Sequence, residues 1–261
     1  PPLGQRTSPP PRSRTPVRRP RRIEGLWPRW KGKTCHRSPL EMARNYRADD
    51  VALAAMTLHV GLVNERGTIQ TDVERLVECV ERTADLESRF GDNECPLLIW
   101  HPSEYPSVAG VDDNVVFQGL CQALSSACTV AEDKGVHIAV EITRAGSIGS
   151  AESFLRVKDQ VGSSALRVCM DAANFVPDRT PLERAVRMLG PEIAIAHAKD
   201  SRFSETGLVA DYGPVGSGCL DYPTYLRCLQ KYTNVPYLVF EYYLSRDDLL
   251  KARDTVNNCL P

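Results

Sequence analysis

From about residue 38 to the C-terminus, short apolar runs alternate with stretches in which apolar residues recur every three or four positions. A chain patterned this way folds as a series of βα units, and its sheet is parallel because each strand returns through a helix. The runs are VALAAMTLHV (51–60), LLIWH (97–101), VHIAVEI (136–142), LRVCMD (166–171), IAIAHAKD (193–200) and YLVFEYY (237–243). After the first run, TDVERLVECVERTADL (71–86) places Val73, Leu76, Val77, Val80 and Ala84 on one helical face. Further helices are predicted from about Asn114 to Asp133, closed by Lys134-Gly135, and from Ser150, with Glu152 in the first turn. Three more are predicted over 181–189, over 221–232 and from about Arg246. Six consecutive βα units suit two architectures, a doubly wound sheet or most of an eight-unit (β/α)8 TIM barrel.

Charge is divided unevenly along the chain. Residues 1 to 40 hold 11 of the 32 Lys+Arg and a single acid, Glu24, which leaves the rest with 21 basic against 32 acidic residues. An acidic body is a poor match for nucleic acid, whose phosphates are gripped by lysine and arginine. The first 37 residues are rich in Arg and Pro with few aliphatics, and are expected to form a disordered arm ahead of a barrel domain over 38–261. Its twin arginines are followed by no apolar segment, so a secretory signal is not expected. No run approaches the roughly 20 apolar residues that span a bilayer, so no membrane partner is expected. Nine scattered cysteines, with no C-x-x-C pair, read as reduced thiols of a cytoplasmic protein.

Glu141, Asp171, His197 and Glu241 stand at or near the ends of the last four runs. Taken singly, each has an ordinary structural use: a hydrogen-bonded core histidine, a cap for the following helix, a partner for an arginine. Together they separate the two architectures, because a closed parallel barrel brings all four strand ends to one mouth, where such barrels carry their chemistry, while an open doubly wound sheet splays them apart. Three carboxylates facing one another at the ends of buried strands need a positive charge between them. A divalent cation meets that need, and three carboxylates with one imidazole suit Mn²⁺, Mg²⁺ or Co²⁺ better than a structural zinc, with Zn²⁺ admitted.

The stretches VEI, MDAANFV, HAKDS, PVGSGCLDYPTYL and LVFEYY, in that order, resemble the xylose isomerase-like TIM barrels, a family of sugar and sugar-phosphate isomerases and epimerases within the endonuclease IV-like superfamily. The resemblance runs from about residue 45 to the C-terminus. It implies that Glu141, Asp171, His197 and Glu241 bind one divalent metal, and that Glu141 and Glu241 also exchange the substrate proton. It also implies a small sugar or sugar phosphate as partner, with substrate contacts expected from His101, Asn174, Lys199, Asp200 and Arg202; room is left for a homo-oligomer. Asn174 stands where the ketose epimerases carry a substrate-binding histidine; it can hydrogen-bond a hydroxyl but cannot act as an acid. Gly216 and Gly218 are expected to form a tight turn before the 221–232 helix. The family's first two βα units should precede residue 51, yet residues 1–37 offer only RIEGLW (22–27), so the barrel is expected to be incomplete or divergent at its start.

Three alternatives share the fold. A dehydratase of a polyol or keto acid begins with the same proton abstraction. An endonuclease IV-like phosphodiesterase would use His59 and His101 as further metal ligands, but lacks a D-x-H after the seventh strand, where the chain has Asp211-Tyr212-Gly213. The last is an inactive remnant barrel.

Overall fold

The computed structural model describes residues 53–90, 96–102, 112–143, 146–175, 181–206 and 209–260. All described residues lie within Ser38–Pro261. The expectations for residues 1–37, the disordered arm and the missing opening units, lie outside the described residues.

Six parallel strands form the main sheet: β1 (Met56–Val60), β4 (Leu97–Pro102), β5 (His137–Glu141), β6 (Leu166–Asp171), β7 (Ile193–Ala198) and β10 (Leu238–Phe240). Each apolar run of the sequence coincides with one of them, β4 extending one residue past its run to Pro102. Their spatial order is β1-β4-β5-β6-β7-β10, every neighbouring pair parallel. A doubly wound sheet reverses its strand order at a switch point. Here the order follows the chain without reversal, as in a barrel wall.

Helices return the chain after each strand: α1 (Gln70–Phe90), α2 (Asp113–Lys134), α3 (Ala151–Val161), the single turn α4 (Ala172–Phe175) with α5 (Leu182–Leu189), α6 (Tyr222–Tyr232) and α7 (Arg246–Cys259). Their ends are set by local chemistry. Asp112 caps α2 by accepting from the Asn114 amide, and Gly135 closes it in the left-handed region at φ 65°. Ser150 and Ser153 exchange side-chain and backbone hydrogen bonds at the start of α3, while Asp221 and Ser245 cap α6 and α7. In α1, Val73, Leu76 and Val80 are buried, with Val77 and Ala84 half-buried against the same core.

Two small antiparallel hairpins interrupt this plan, β2 (Val63–Asn64) with β3 (Gly67–Thr68), and β8 (Asp200–Phe203) with β9 (Val209–Gly213). Neither is evident in the sequence pattern. The second begins one residue after β7 and carries Tyr212.

Side chains alternate between the two faces of a strand. On one face Leu98, Trp100, Ile138, Val140, Val168, Met170 and Ala196 pack with the helices in the main core. On the other, Leu97, Ile99, Ala139, Cys169 and Ile195 form a separate buried cluster with Ala55, Ala194 and Val239. This second cluster is the inner layer of the wall, and it is the floor of the site. One step of alternation beyond it toward the strand ends lie His101, Glu141, Asp171, His197 and Glu241.

Candidate metal centre

Glu141, Asp171, His197 and Glu241 each offer a donor atom, and these four atoms lie within 4.8 Å of one another. Asp171 and His197 are direct register partners of β6 and β7. Glu241 lies one residue past β10, but its amide still donates to the Ala198 carbonyl (3.0 Å), which extends the ladder to the site. Tyr242, next in sequence, has φ 57°, a left-handed conformation costly for a residue with a Cβ. The chain thus turns sharply just after delivering Glu241.

The four groups are buried or half-buried and strongly coupled. Asp171 Oδ1 accepts from the Ala173 amide (3.1 Å), so this carboxylate does cap the short helix α4. Its Oδ2 forms an ion pair with Lys199. Burial raises Asp171 to about 6, against the pull of Lys199. His197 Nδ1 lies 3.2 Å from Glu241 Oε1 and 3.8 Å from Glu141 Oε2, yet it is buried without a well-aligned hydrogen bond. Burial lowers the basicity of His197, but the adjoining Glu241 outweighs it, with Glu141 and Asp171 adding to the rise. Glu241 is moved the other way: burial opposes ionisation, and His197 with Lys199 overcomes it to hold the carboxyl down to about 2. Buried carboxylates around an imidazole nitrogen with no well-aligned partner are a donor set suited to a hard or borderline divalent cation. Cys169 is also within reach of Glu141 and His197, but complete burial and the neighbouring carboxylates push its thiol well above the ordinary range.

The positive charge that the carboxylates require is already partly supplied by the chain. Lys199 Nζ lies against Asp171 Oδ2, 3.3 Å from Glu241 Oε2 and 3.8 Å from Glu141 Oε1. The sequence suggests it as a substrate contact; the structure places its ammonium among the metal-ligand candidates. Asn174 Nδ2 donates to Glu141 Oε1 and to the Ile142 carbonyl, both at 3.3 Å, so it orients a carboxylate from behind. His101 and His59, register partners on β4 and β1, stack with ring centroids 4.6 Å apart. Burial keeps both below the ordinary imidazole range, helped by His101 for His59 and by Lys199 for His101. With Glu141, His197, Lys199 and Glu241 they line a cavity of about 410 Å³.

Asp200 and Arg202 do other work. The buried Asp200 carboxylate accepts from the amides of Ser201 (2.9 Å), Gly216 (3.1 Å) and Leu220 (2.9 Å), drawing the PVGSG turn around itself. The turn requires glycine: Gly216 has φ 82°, and a Cβ on Gly218 would lie 2.2 Å from the Ser201 carbonyl oxygen. Arg202 Nε donates to the Ser217 carbonyl (2.7 Å) on the exposed side of the same turn. Two buried tyrosines of α6 hold the strand ends from outside. Tyr225 Oη lies 3.0 Å from the Met170 carbonyl and 3.2 Å from that of His197, and Tyr222 Oη donates to the Lys199 carbonyl at 2.7 Å.

The profile of the family described as xylose isomerase-like TIM barrel matches residues 18–258. The chain belongs to this family. The α/β TIM-barrel fold follows from that membership and from the sequential parallel sheet. The match begins within the Arg/Pro-rich segment. Comparison with curated proteins finds no match. Among solved structures, the chain is similar to a D-tagatose 3-epimerase-like protein, with 17% identity, 85% of this chain and 83% of that one covered, and a TM-score of 0.69. It is also similar to the probable 3-DHS dehydratase AsbF involved in petrobactin synthesis in Bacillus anthracis (14% identity, 84% and 81% covered, TM-score 0.66). A third likeness is to a xylose isomerase-like TIM barrel protein from Mycobacterium smegmatis in complex with magnesium (16% identity, 83% and 76% covered, TM-score 0.60). At these identities the likeness is one of fold. No described helix is long and apolar enough to cross a membrane.

Proposed function

We propose that this xylose isomerase-like barrel is a divalent-metal-dependent isomerase or epimerase of a sugar or sugar phosphate, working by proton abstraction beside a carbonyl. The observation that carries the reading is the convergence of Glu141, Asp171, His197 and Glu241 within 4.8 Å at the ends of consecutive parallel strands. These four residues would hold Mn²⁺, Mg²⁺ or Co²⁺, which when bound polarises a carbonyl and its neighbouring hydroxyl and so acidifies the C–H between them.

The chain's own groups supply the proton transfers. Glu141 and Glu241 form the acid/base pair. Glu241 is the more open of the two, with 28% of its side chain exposed against 6% for Glu141, and it is ionised over the whole neutral range. Its low basicity is imposed by His197 and Lys199. A Lys199 ammonium turned onto a substrate oxygen would steady the developing negative charge and release Glu241 to act as base. Asn174 holds Glu141 in place, and His101 presents a neutral imidazole to the cavity. The same ammonium, held in its charged form by Asp171, Glu241 and Glu141, can hydrogen-bond a departing β-hydroxyl, which makes a dehydratase the second reading. A multi-metal phosphodiesterase is less well supported: among the described residues, neither His59 nor His101 belongs to a group of three donors within 4.8 Å.

The test is metal-stripped protein reloaded with Mn²⁺ and assayed for ketose C3 epimerisation and aldose–ketose interconversion in deuterated solvent. Activity and deuterium incorporation are expected to return with metal, and to vanish in Glu141→Gln and Glu241→Gln chains that still bind it. Exchange that survives both substitutions removes these glutamates from the proton path.

A further inference from the structure

Ile195 and His197 face inward from β7, and Lys199, the single residue between β7 and β8, lines the same cavity, so Lys199 reaches the site two residues after the imidazole. Only 5% of the residue is exposed, and its ammonium is shared among Asp171, Glu241 and Glu141, the three carboxylates of the donor set. The same nitrogen lies 5.0 Å from the ring centroid of Tyr212 and 5.1 Å from that of Tyr242, two rings tilted against each other with centroids 5.6 Å apart. Both distances fall within the range at which an ammonium is held by an aromatic face. Tyr242 follows Glu241 in a left-handed backbone conformation and lines the cavity with it, and Tyr212 comes from the β8–β9 hairpin. The ammonium therefore has two kinds of partner within reach, the carboxylates and the pair of rings.

A divalent ion bound by these carboxylates would meet a unit positive charge at contact distance in a buried setting, where screening is weak. The two cations cannot use the same oxygens together. We propose that Lys199 is a built-in counter-ion that competes with the divalent metal for Asp171, Glu141 and Glu241, and that metal binding displaces it toward the Tyr212–Tyr242 pair. This rests on the one-metal reading of the site. It gives the protein a charge-compensated resting state without metal, lowers its metal affinity, and leaves the displaced ammonium beside the cavity in which the substrate binds.

The experiment is calorimetric titration of Mn²⁺ into metal-free wild type, Lys199→Met, Tyr242→Leu and Tyr242→Phe, with the metal-free melting temperature of each. Lys199→Met is expected to bind Mn²⁺ at least about tenfold more tightly, since a neutral side chain of similar length removes the competitor and its repulsion. Its metal-free melting temperature is expected to fall, because three carboxylates lose their cation. Should that chain not fold without metal, the tyrosine pair reads the same competition with the ammonium retained. Tyr242→Leu is expected to weaken Mn²⁺ binding about two- to fivefold by removing one of the alternative seats, while Tyr242→Phe, which keeps the ring, stays within about twofold of wild type. Wild-type binding with Lys199→Met equal or weaker overturns the counter-ion role and leaves the one-metal site standing, as does equal binding by Tyr242→Leu and Tyr242→Phe. Failure of wild type and Lys199→Met alike to bind Mn²⁺ overturns both readings.

Discussion

The strands β5, β6, β7 and β10 carry Glu141, Asp171, His197 and Glu241 within one residue of their ends, while β1 and β4, in the same sheet, carry His59 and His101 one residue before theirs. The first group is charged, coupled and gathered within 4.8 Å. The second is a pair of stacked rings, both pushed toward the neutral form by burial. Glu141, His197 and Glu241 of the first group line one cavity with both histidines, and all of these owe their inward direction to the same strand alternation. What differs is the charge that must be balanced. Three carboxylates call for a cation and create one strong local site, whereas two neutral imidazoles form a polar wall against which a hydroxylated substrate can hydrogen-bond. One end of the sheet thus gathers charge and the other presents neutral rings.

Substitutions can break or sharpen this contrast. Glu141→Gln and Glu241→Gln are each expected to lower solvent-proton exchange into substrate by about a thousandfold, the scale of positioned acid–base catalysis. His101→Asn is expected to act on KM with little change in kcat; losses of equal size at both ends would erase the distinction. Asp171→Asn is next, with Mn²⁺ affinity falling by about a hundredfold in a calorimetric titration, since a buried charged donor becomes a neutral one. Asp200→Ala should leave the metal ligands in place but cost about 3 kcal/mol in urea denaturation, because three backbone amides lose a charged acceptor. Tyr225→Phe, which removes one hydroxyl from the strand ends of β6 and β7, is expected to cost about 1 kcal/mol in the same measurement.

The strands were legible because each carries a compact apolar run, and so were the helix ends at Ser150 and Lys134-Gly135, whereas the caps Asp112 and Ser245 emerge only from the structure. The four charged strand ends were legible for the same reason: each interrupts an apolar run at its end. The two hairpins escaped notice, since β2 and β3 hold two residues each and β8 follows β7 after a single residue. Asp200 and Lys199 are adjacent in HAKDS and were read alike, as groups for a substrate. Their difference lies in contacts distant in sequence: Asp200 turns into a loop 16 to 20 residues later, and Lys199 folds back over Asp171 on the preceding strand. The need for a cation was likewise legible from three clustered carboxylates. That the chain brings one of its own depends on the direction of a long flexible side chain, which no strand pattern specifies.

The most direct test of the contrast is metal stoichiometry, measured by elemental analysis and titration on wild type, Glu141→Gln/Asp171→Asn and His59→Asn/His101→Asn. A single catalytic site at the charged strand ends gives one Mn²⁺ per chain in wild type, none in the carboxylate variant, and one again when both histidines are replaced. Two or more ions in wild type, with the extra ones lost on replacing His59 and His101, would contradict it.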